Sequence, residues 1–193
     1  MNMKLLKIQI TNLTKKYSKK IVFNNYDLLI DNSKINFLVS PNGFGKTTLI
    51  KTMLRLTCFK GSITSNCLKY AYCPEKVILP EYLKVIEFLN LFDIENERIN
   101  YYLSKFKIPH NIRIKELSKG MHQKLIIIQA IAAEADGYFF DEPLNGLDFQ
   151  SEQIFIDELF NLSKKHKLIV IASHYLEKYS SLPCNVINIV QND

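Results

Sequence analysis

Short apolar runs alternate along the chain with longer stretches whose apolar residues recur at helical spacing, which predicts an α/β domain with a largely parallel sheet. Strands are predicted at 3–11, 21–30, 34–39, 69–73, 137–140, 167–172 and 185–190, and helices at 46–56, 81–92, 96–106, 119–134, 150–165 and 174–180. Three strand runs, Ile35-Asn36-Phe37-Leu38-Val39, Tyr138-Phe139-Phe140 and Leu168-Ile169-Val170-Ile171-Ala172, are apolar nearly throughout. Strands covered on both faces read that way, so these three are expected at the centre of the sheet. Helix 119–134 carries the clearest apolar stripe, through Leu125, Ile128 and Ala132. Pro80 before the second helix and Pro109 after the third punctuate the segment 76–117, which reads as a small helical subdomain inserted in the α/β core. No repeat or flexible linker appears, and the 193 residues are expected to form one domain, 1–193.

Hydrophobic residues make up 47% and charged residues 23% of the chain, a composition that excludes a disordered, collagen-like or low-complexity protein. Twenty-five Lys and Arg against 19 Asp and Glu give a net charge of +6. That balance leaves nucleic acid, an acidic membrane surface and a polyphosphate ligand all open as partners, and the lysines are spread as on a solvated surface. Cys58, Cys67, Cys73 and Cys184 form no C-x-x-C pair and have no His at zinc-finger spacing, so neither a structural metal site nor a redox motif is expected. A reduced, cytosolic setting fits them. Apolar stretches such as Leu125-Ile126-Ile127-Ile128 are far shorter than the ~20 residues that cross a bilayer, and the N-terminus lacks the apolar core of a signal peptide.

Chemistry begins after the buried run ending at Val39, with Ser40-Pro41-Asn42-Gly43-Phe44-Gly45-Lys46-Thr47-Thr48 followed by a helical pattern. Strand, glycine-bearing loop and helix in that order give a P-loop match its weight. Gly43 and Gly45 let backbone N–H groups turn around phosphate oxygens, and the helix N-terminus adds a favourable dipole. Lys46 is placed along the β- and γ-phosphates, and Thr47 supplies a hydroxyl to Mg²⁺. Ser40 stands where the motif has its leading glycine, and would be strained if its φ were positive.

Tyr138-Phe139-Phe140-Asp141-Glu142-Pro143 is an apolar strand ending in two carboxylates, 95 residues beyond Lys46. The C-terminal edge of an open α/β sheet is where ligands bind. Asp141 can hold Mg²⁺, directly or through water, and Glu142 can accept a proton from the water that attacks a γ-phosphate.

Leu117-Ser118-Lys119-Gly120-Met121-His122-Gln123 then resembles the signature motif, usually L-S-G-G-Q, of the ABC (ATP-binding cassette) family. Together with the two phosphate-site motifs, it makes the chain look like the nucleotide-binding subunit of an ABC transporter. The resemblance implies a P-loop NTPase core with a mixed, mainly parallel sheet, an N-terminal antiparallel β portion and the helical subdomain. It implies that Tyr17 stacks on adenine and that Asn42, Gly43, Phe44, Gly45, Lys46, Thr47 and Thr48 hold the phosphates. Tyr72-Cys73-Pro74-Glu75 falls at the Q-loop, with Glu75 in place of glutamine, where it adds a metal ligand beside Thr47 and Asp141 or raises repulsion with ATP. Ser173-His174 resembles the switch histidine, giving a catalytic set of Lys46, Glu142 and His174. Ser118, Lys119 and Gly120 would face the γ-phosphate of an opposite subunit, and Asp148, in Asn145-Gly146-Leu147-Asp148, would bridge the two.

The cofactors implied are ATP and Mg²⁺. The partners implied are a second copy of the cassette, closing head to tail on two ATP molecules, and a separate transmembrane permease, with the cassette held at the cytoplasmic face of the membrane and no nucleic acid bound. Exposed apolar residues at Val77, Ile78 and Leu79 are candidates for the permease contact, or pack within the subdomain. Leu-Ser-Lys-Gly-Met is similar to signatures of exporter cassettes, which makes this a minimal exporter-type cassette with a peptide or bacteriocin-like cargo as the leading expectation. The alternatives are a soluble ABC ATPase acting on DNA or ribosomes, and a regulatory cassette with weak hydrolysis.

Overall fold

The computed structural model describes residues 4–18, 20–41 and 43–189. Its elements are β1 (Lys7–Tyr17), β2 (Lys20–Asp31), β3 (Ile35–Val39), α1 (Lys46–Met53), β4 (Lys60–Ser65), β5 (Tyr70–Cys73), α2 (Val85–Leu89), α3 (Asn96–Lys105), α4 (Lys119–Ala132), β6 (Gly137–Asp141), α5 (Phe149–Lys164), β7 (Leu168–Ala172) and β8 (Cys184–Asn188). Five strands form a parallel sheet in the order β5-β6-β7-β3-β8, and three form an antiparallel sheet in the order β2-β1-β4. The three apolar runs are thus the inner strands of the parallel sheet.

Alternation along those inner strands divides the interior in two. Ile35, Phe37, Tyr138, Phe140, Ile169 and Ile171 face one core, which α3, α4 and α5 complete with Leu103, Leu125, Ile128, Phe155 and Leu159. Leu38, Phe139, Leu168, Val170 and Ala172 face the other, made with Leu49, Ile50 and Met53 of α1 and Ile8, Ile10 and Leu13 of β1. The parallel sheet is therefore the middle layer, and α1, at the head of its phosphate-loop turn, is wedged between the two sheets.

Several sequence expectations need correction. The first two predicted strands run longer, because shifts in register along β1 let it curve while it pairs with both neighbours. β4 was not foreseen: of Lys60-Gly61-Ser62-Ile63-Thr64-Ser65 only Ile63 is buried, so the run has no apolar signal. The predicted helix 81–92 is confined to Val85–Leu89, where Glu87 Oε2 accepts from the Lys84 N–H at 2.8 Å and closes its start. The predicted helix 174–180 is a single 3-10 turn, Leu176–Tyr179. Val190, the end of the last predicted strand, lies outside the described residues. Leu79 packs into the larger core rather than standing exposed, whereas Val77 and Ile78 are exposed.

Candidate functional site

After Val39 the chain turns from β3 into α1. Gly43 (φ 79°) and Gly45 (φ 106°) take up left-handed backbone, and a Cβ on Gly45 would come within 2.7 Å of Val22 Cγ1. Ser40 is absent from the described residues with positive φ, so the serine in place of the leading glycine carries no such strain. It is buried, and its carbonyl accepts a hydrogen bond from Lys46 Nζ at 3.0 Å. The first turn of α1 contains no acidic residue, which leaves its N–H groups and dipole available to an anion.

Opposite this loop, β6 ends at Asp141 and the next residue breaks the strand. Glu142 sits at φ 49°, left-handed backbone that a non-glycine residue adopts at a cost of about 1–3 kcal/mol. Its N–H is anchored to the Ala172 carbonyl at 2.8 Å and its carbonyl accepts from Asn145 N–H at 3.2 Å, so the sheet and the following turn impose this conformation. The carboxylate is thereby aimed at His174, just beyond β7: His174 Nε2 lies 3.0 Å from Glu142 Oε1, and the His174 N–H donates to Oε2 at 3.4 Å. The same Nε2 is 3.1 Å from Lys46 Nζ, and Lys46 Nζ is 3.9 Å from Glu142 Oε1. An imidazole whose Nε2 is unprotonated accepts from Lys46, while Glu142 Oε1 is left near both groups without a hydrogen bond of its own.

Burial dominates the electrostatics. It raises the Asp141 carboxyl above its ordinary value, and it raises that of Glu142 despite the opposing influence of His174 and Lys46. It lowers the Lys46 ammonium despite Glu142, Asp141 and Glu75 nearby. Asp141 is 1% exposed, and neither carboxylate oxygen is held in hydrogen-bond geometry by a described residue, although the Thr47 hydroxyl stands close enough to offset part of the effect of burial. A buried carboxylate with two unsatisfied oxygens beside the hydroxyl-bearing Thr47 is a donor set of hard oxygens that fits Mg²⁺. Among the described residues no group of three or more His, Cys, Asp or Glu is placed to hold a metal ion.

Of the sequence-predicted residues, the structure gathers Tyr17, Gly43, Gly45, Lys46, Thr47, Thr48, Glu75, Asp141, Glu142 and His174 around one cleft of about 440 Å³. Asn42 lies outside the described residues. Phe44 does not line the cleft; its N–H donates to the Pro41 carbonyl at 3.3 Å, tightening the loop. Ser118, Lys119, Gly120 and Asp148 lie elsewhere. Ser118 Oγ caps α4 by accepting from Met121 N–H at 3.2 Å. Asp148 caps α5 by accepting from Ser151 N–H at 2.8 Å, and it also accepts from Lys124 Nζ at 2.6 Å. Lys119 reaches a second cleft of about 400 Å³ that it shares with Glu75, Ile78, His122 and Gln123. Glu75 is the residue common to both clefts.

The cleft also includes Lys20, Val22, Asn145 and Tyr175, which sequence reasoning missed. Lys20 Nζ donates to the Gly43 carbonyl at 3.3 Å. Asn145 and Tyr175 adjoin recognised motifs and were within reach; Lys20 and Val22 come from the other sheet and carry no local signal.

A phosphate-loop turn at the end of buried parallel strand β3, faced by carboxylates at the end of β6 two strands away, defines a P-loop nucleotide-binding protein. A sequence model of the ABC transporter family matches residues 23–145. The chain belongs to that family, as an ATP-binding subunit of the ABC ATPase type. It is 33% identical over 187 residues to an uncharacterized ABC transporter ATP-binding protein of Methanocaldococcus jannaschii, covering 91% of this chain and 71% of the relative. Identity is 30% over 179 residues to the zinc import ATP-binding protein ZnuC of Rickettsia bellii (88% and 76% covered) and 25% over 205 residues to the Nod factor export ATP-binding protein I of Cupriavidus pinatubonensis (95% and 63%). The fold is similar, with a TM-score of 0.83, to the structure of an ATP binding subunit of an ABC transporter, at 23% identity over 94% of this chain and 87% of that one. No helix among the described residues is long and apolar enough to cross a membrane.

Proposed function

We propose that the 440 Å³ cleft binds ATP with Mg²⁺ and hydrolyses it, and that this chain powers transport through a separate membrane permease. The observation that carries the reading is the convergence of Lys46, buried Asp141 and Glu142 held at φ 49° on the loop that opens α1. Gly43, Gly45, Lys46 and Thr48 hold the phosphates, and Tyr17 stacks on the base. Thr47 and Asp141, with Glu75 at the rim, hold Mg²⁺, which when bound neutralises phosphate charge. Glu142, its carboxyl raised by burial, takes the proton of the attacking water, and His174 contacts the γ-phosphate.

Ser118, Lys119, Gly120 and Asp148 lie outside this cleft, which supports a role for them toward a second copy bound head to tail. The second cleft, with Ile78 99% exposed and Val77 half exposed at its edge, is the surface assigned to the permease at the cytoplasmic face of the membrane. Relatives serve both import and export by name, so the preference for export of a peptide-like cargo rests on Leu117-Ser118-Lys119-Gly120-Met121.

Glu142→Gln tests the centre of this reading. Removing the base should lower ATP turnover about 10²–10⁴-fold while ATP still binds, and should leave an ATP-dependent dimer on sizing. Turnover at the wild-type rate overturns the assignment. Co-purification from membranes should recover an integral membrane protein, and recovery of ribosomes or DNA in its place overturns the transport role.

A further inference from the structure

The inward positions of β1 are Ile8, Ile10, Leu13 and Lys15, three apolar residues of the core and then a lysine that is itself only 6% exposed. A leucine or methionine would fill that position without removing a charge from water. The ammonium is held on two sides: Nζ donates to Thr57 Oγ1 at 2.6 Å and to the Cys58 carbonyl at 2.5 Å. It also lies over the ring of Tyr17, 4.4 Å from the centroid. Lys15 is thus a buried cation, fixed by the segment between α1 and β4, against one face of an aromatic side chain in the cleft.

We propose that Lys15 is a positioning residue for the nucleobase, acting through Tyr17; the inference rests on the reading of Tyr17 as the base platform. Tyr17 is at the mouth of the cleft and 46% exposed, so its ring is not fixed by burial. With the cation on one face, the ring keeps one plane and has its other face to offer a purine. The attraction between a desolvated ammonium and a π face stabilises that plane, and it acts only on the part of the ligand that stacks. Thr57 anchors the ammonium and, with Thr48, also stands beside the Tyr17 hydroxyl.

The test is calorimetric titration of the full chain with Mg-ATP and, separately, with inorganic tripolyphosphate. Lys15→Met should weaken Mg-ATP binding about fivefold, equivalent to ~1 kcal/mol, and leave tripolyphosphate binding unchanged. In a Tyr17→Ala background the same substitution should have no further effect. Lys15→Gln, which keeps a donor toward Thr57 and the Cys58 carbonyl but removes the cation over the ring, should give the same base-dependent loss, and it decides the matter if Lys15→Met fails to fold. Equal weakening of tripolyphosphate, additivity with Tyr17→Ala, or unchanged ATP affinity in both variants overturns the inference alone. A wild-type chain that binds neither ligand overturns the reading of the cleft and this inference with it.

Discussion

The carbonyl oxygen of Gly146 stands 2.9 Å from the point where a Cβ on Gly120 would lie. The first turn of α4 and the loop after β6 therefore meet backbone to backbone. Two further contacts follow along the same helix: Gln123 Nε2 donates to the Pro143 carbonyl at 3.1 Å, and Lys124 Nζ to Asp148 Oδ2 at 2.6 Å. The signature-like segment and the 143–148 loop are thus joined within one chain, one turn beyond the carboxylates of the cleft.

Gly120→Ala tests that contact by setting two effects against each other. Alanine in a helix is favoured over glycine by about 1 kcal/mol. Overpacking against a backbone oxygen costs about 1–3 kcal/mol, and a carbonyl cannot swing aside as a side chain can. The clash should win, with urea denaturation giving a net loss of about 1 kcal/mol. A variant more stable than wild type would mean that the Gly146 carbonyl yields freely and that the close approach at Gly120 is not a constraint.

Most of this arrangement was legible in the sequence because it is written in local signals. Apolar runs marked β3, β6 and β7 as inner strands, and the same runs placed Lys46, Asp141 and His174 at strand ends on one edge of the sheet. What escaped is set by packing between distant segments. β4 has one buried residue and exists because β1 offers it an edge to pair with; Lys20 and Val22 reach the cleft because the antiparallel sheet lies across α1. Whether Ser40 is strained could not be read from the motif, because strain depends on φ, which a residue name does not give. For Leu79 the sequence left a partner contact and packing within the subdomain both open, and the structure buries it in the larger core while Ile78 beside it stands exposed.

The helical segment is tied to the α/β core by a second buried group. Glu158 of α5, 5% exposed, accepts from Tyr102 Oη at 3.0 Å and pairs with Lys105 Nζ at 2.5 Å, both partners coming from α3. Lys105→Met leaves the carboxylate with the tyrosine hydroxyl alone, and an under-satisfied buried charge costs about 1–3 kcal/mol. Chemical denaturation should show a loss in that range, and Glu158→Gln combined with Lys105→Met should recover part of it, since the stranded charge is gone. A single variant as stable as wild type would show that water already satisfies Glu158.

Asp141 sets stability against function, and pH separates the two. Burial raises its folded carboxyl above the ordinary value, so the folded state binds its proton more tightly than the unfolded chain does. Well below pH 4 the group is protonated in both states and contributes no penalty. As pH rises past the unfolded value the unfolded chain ionises first, and the ligand-free protein loses stability until the pH passes the folded value. Asp141→Asn removes the charge and keeps the shape. It should stabilise the metal-free, nucleotide-free chain at pH 7, with the gain shrinking as pH falls and nearly gone at about pH 3. The same variant should lose the Mg²⁺-dependent part of its ATP affinity, because the two unpartnered oxygens are what fit the metal. Denaturant melts at the two pH values and ATP titrations with and without Mg²⁺ measure both halves. Equal stability of wild type and variant at pH 7 would mean that the folded protein already neutralises this carboxylate.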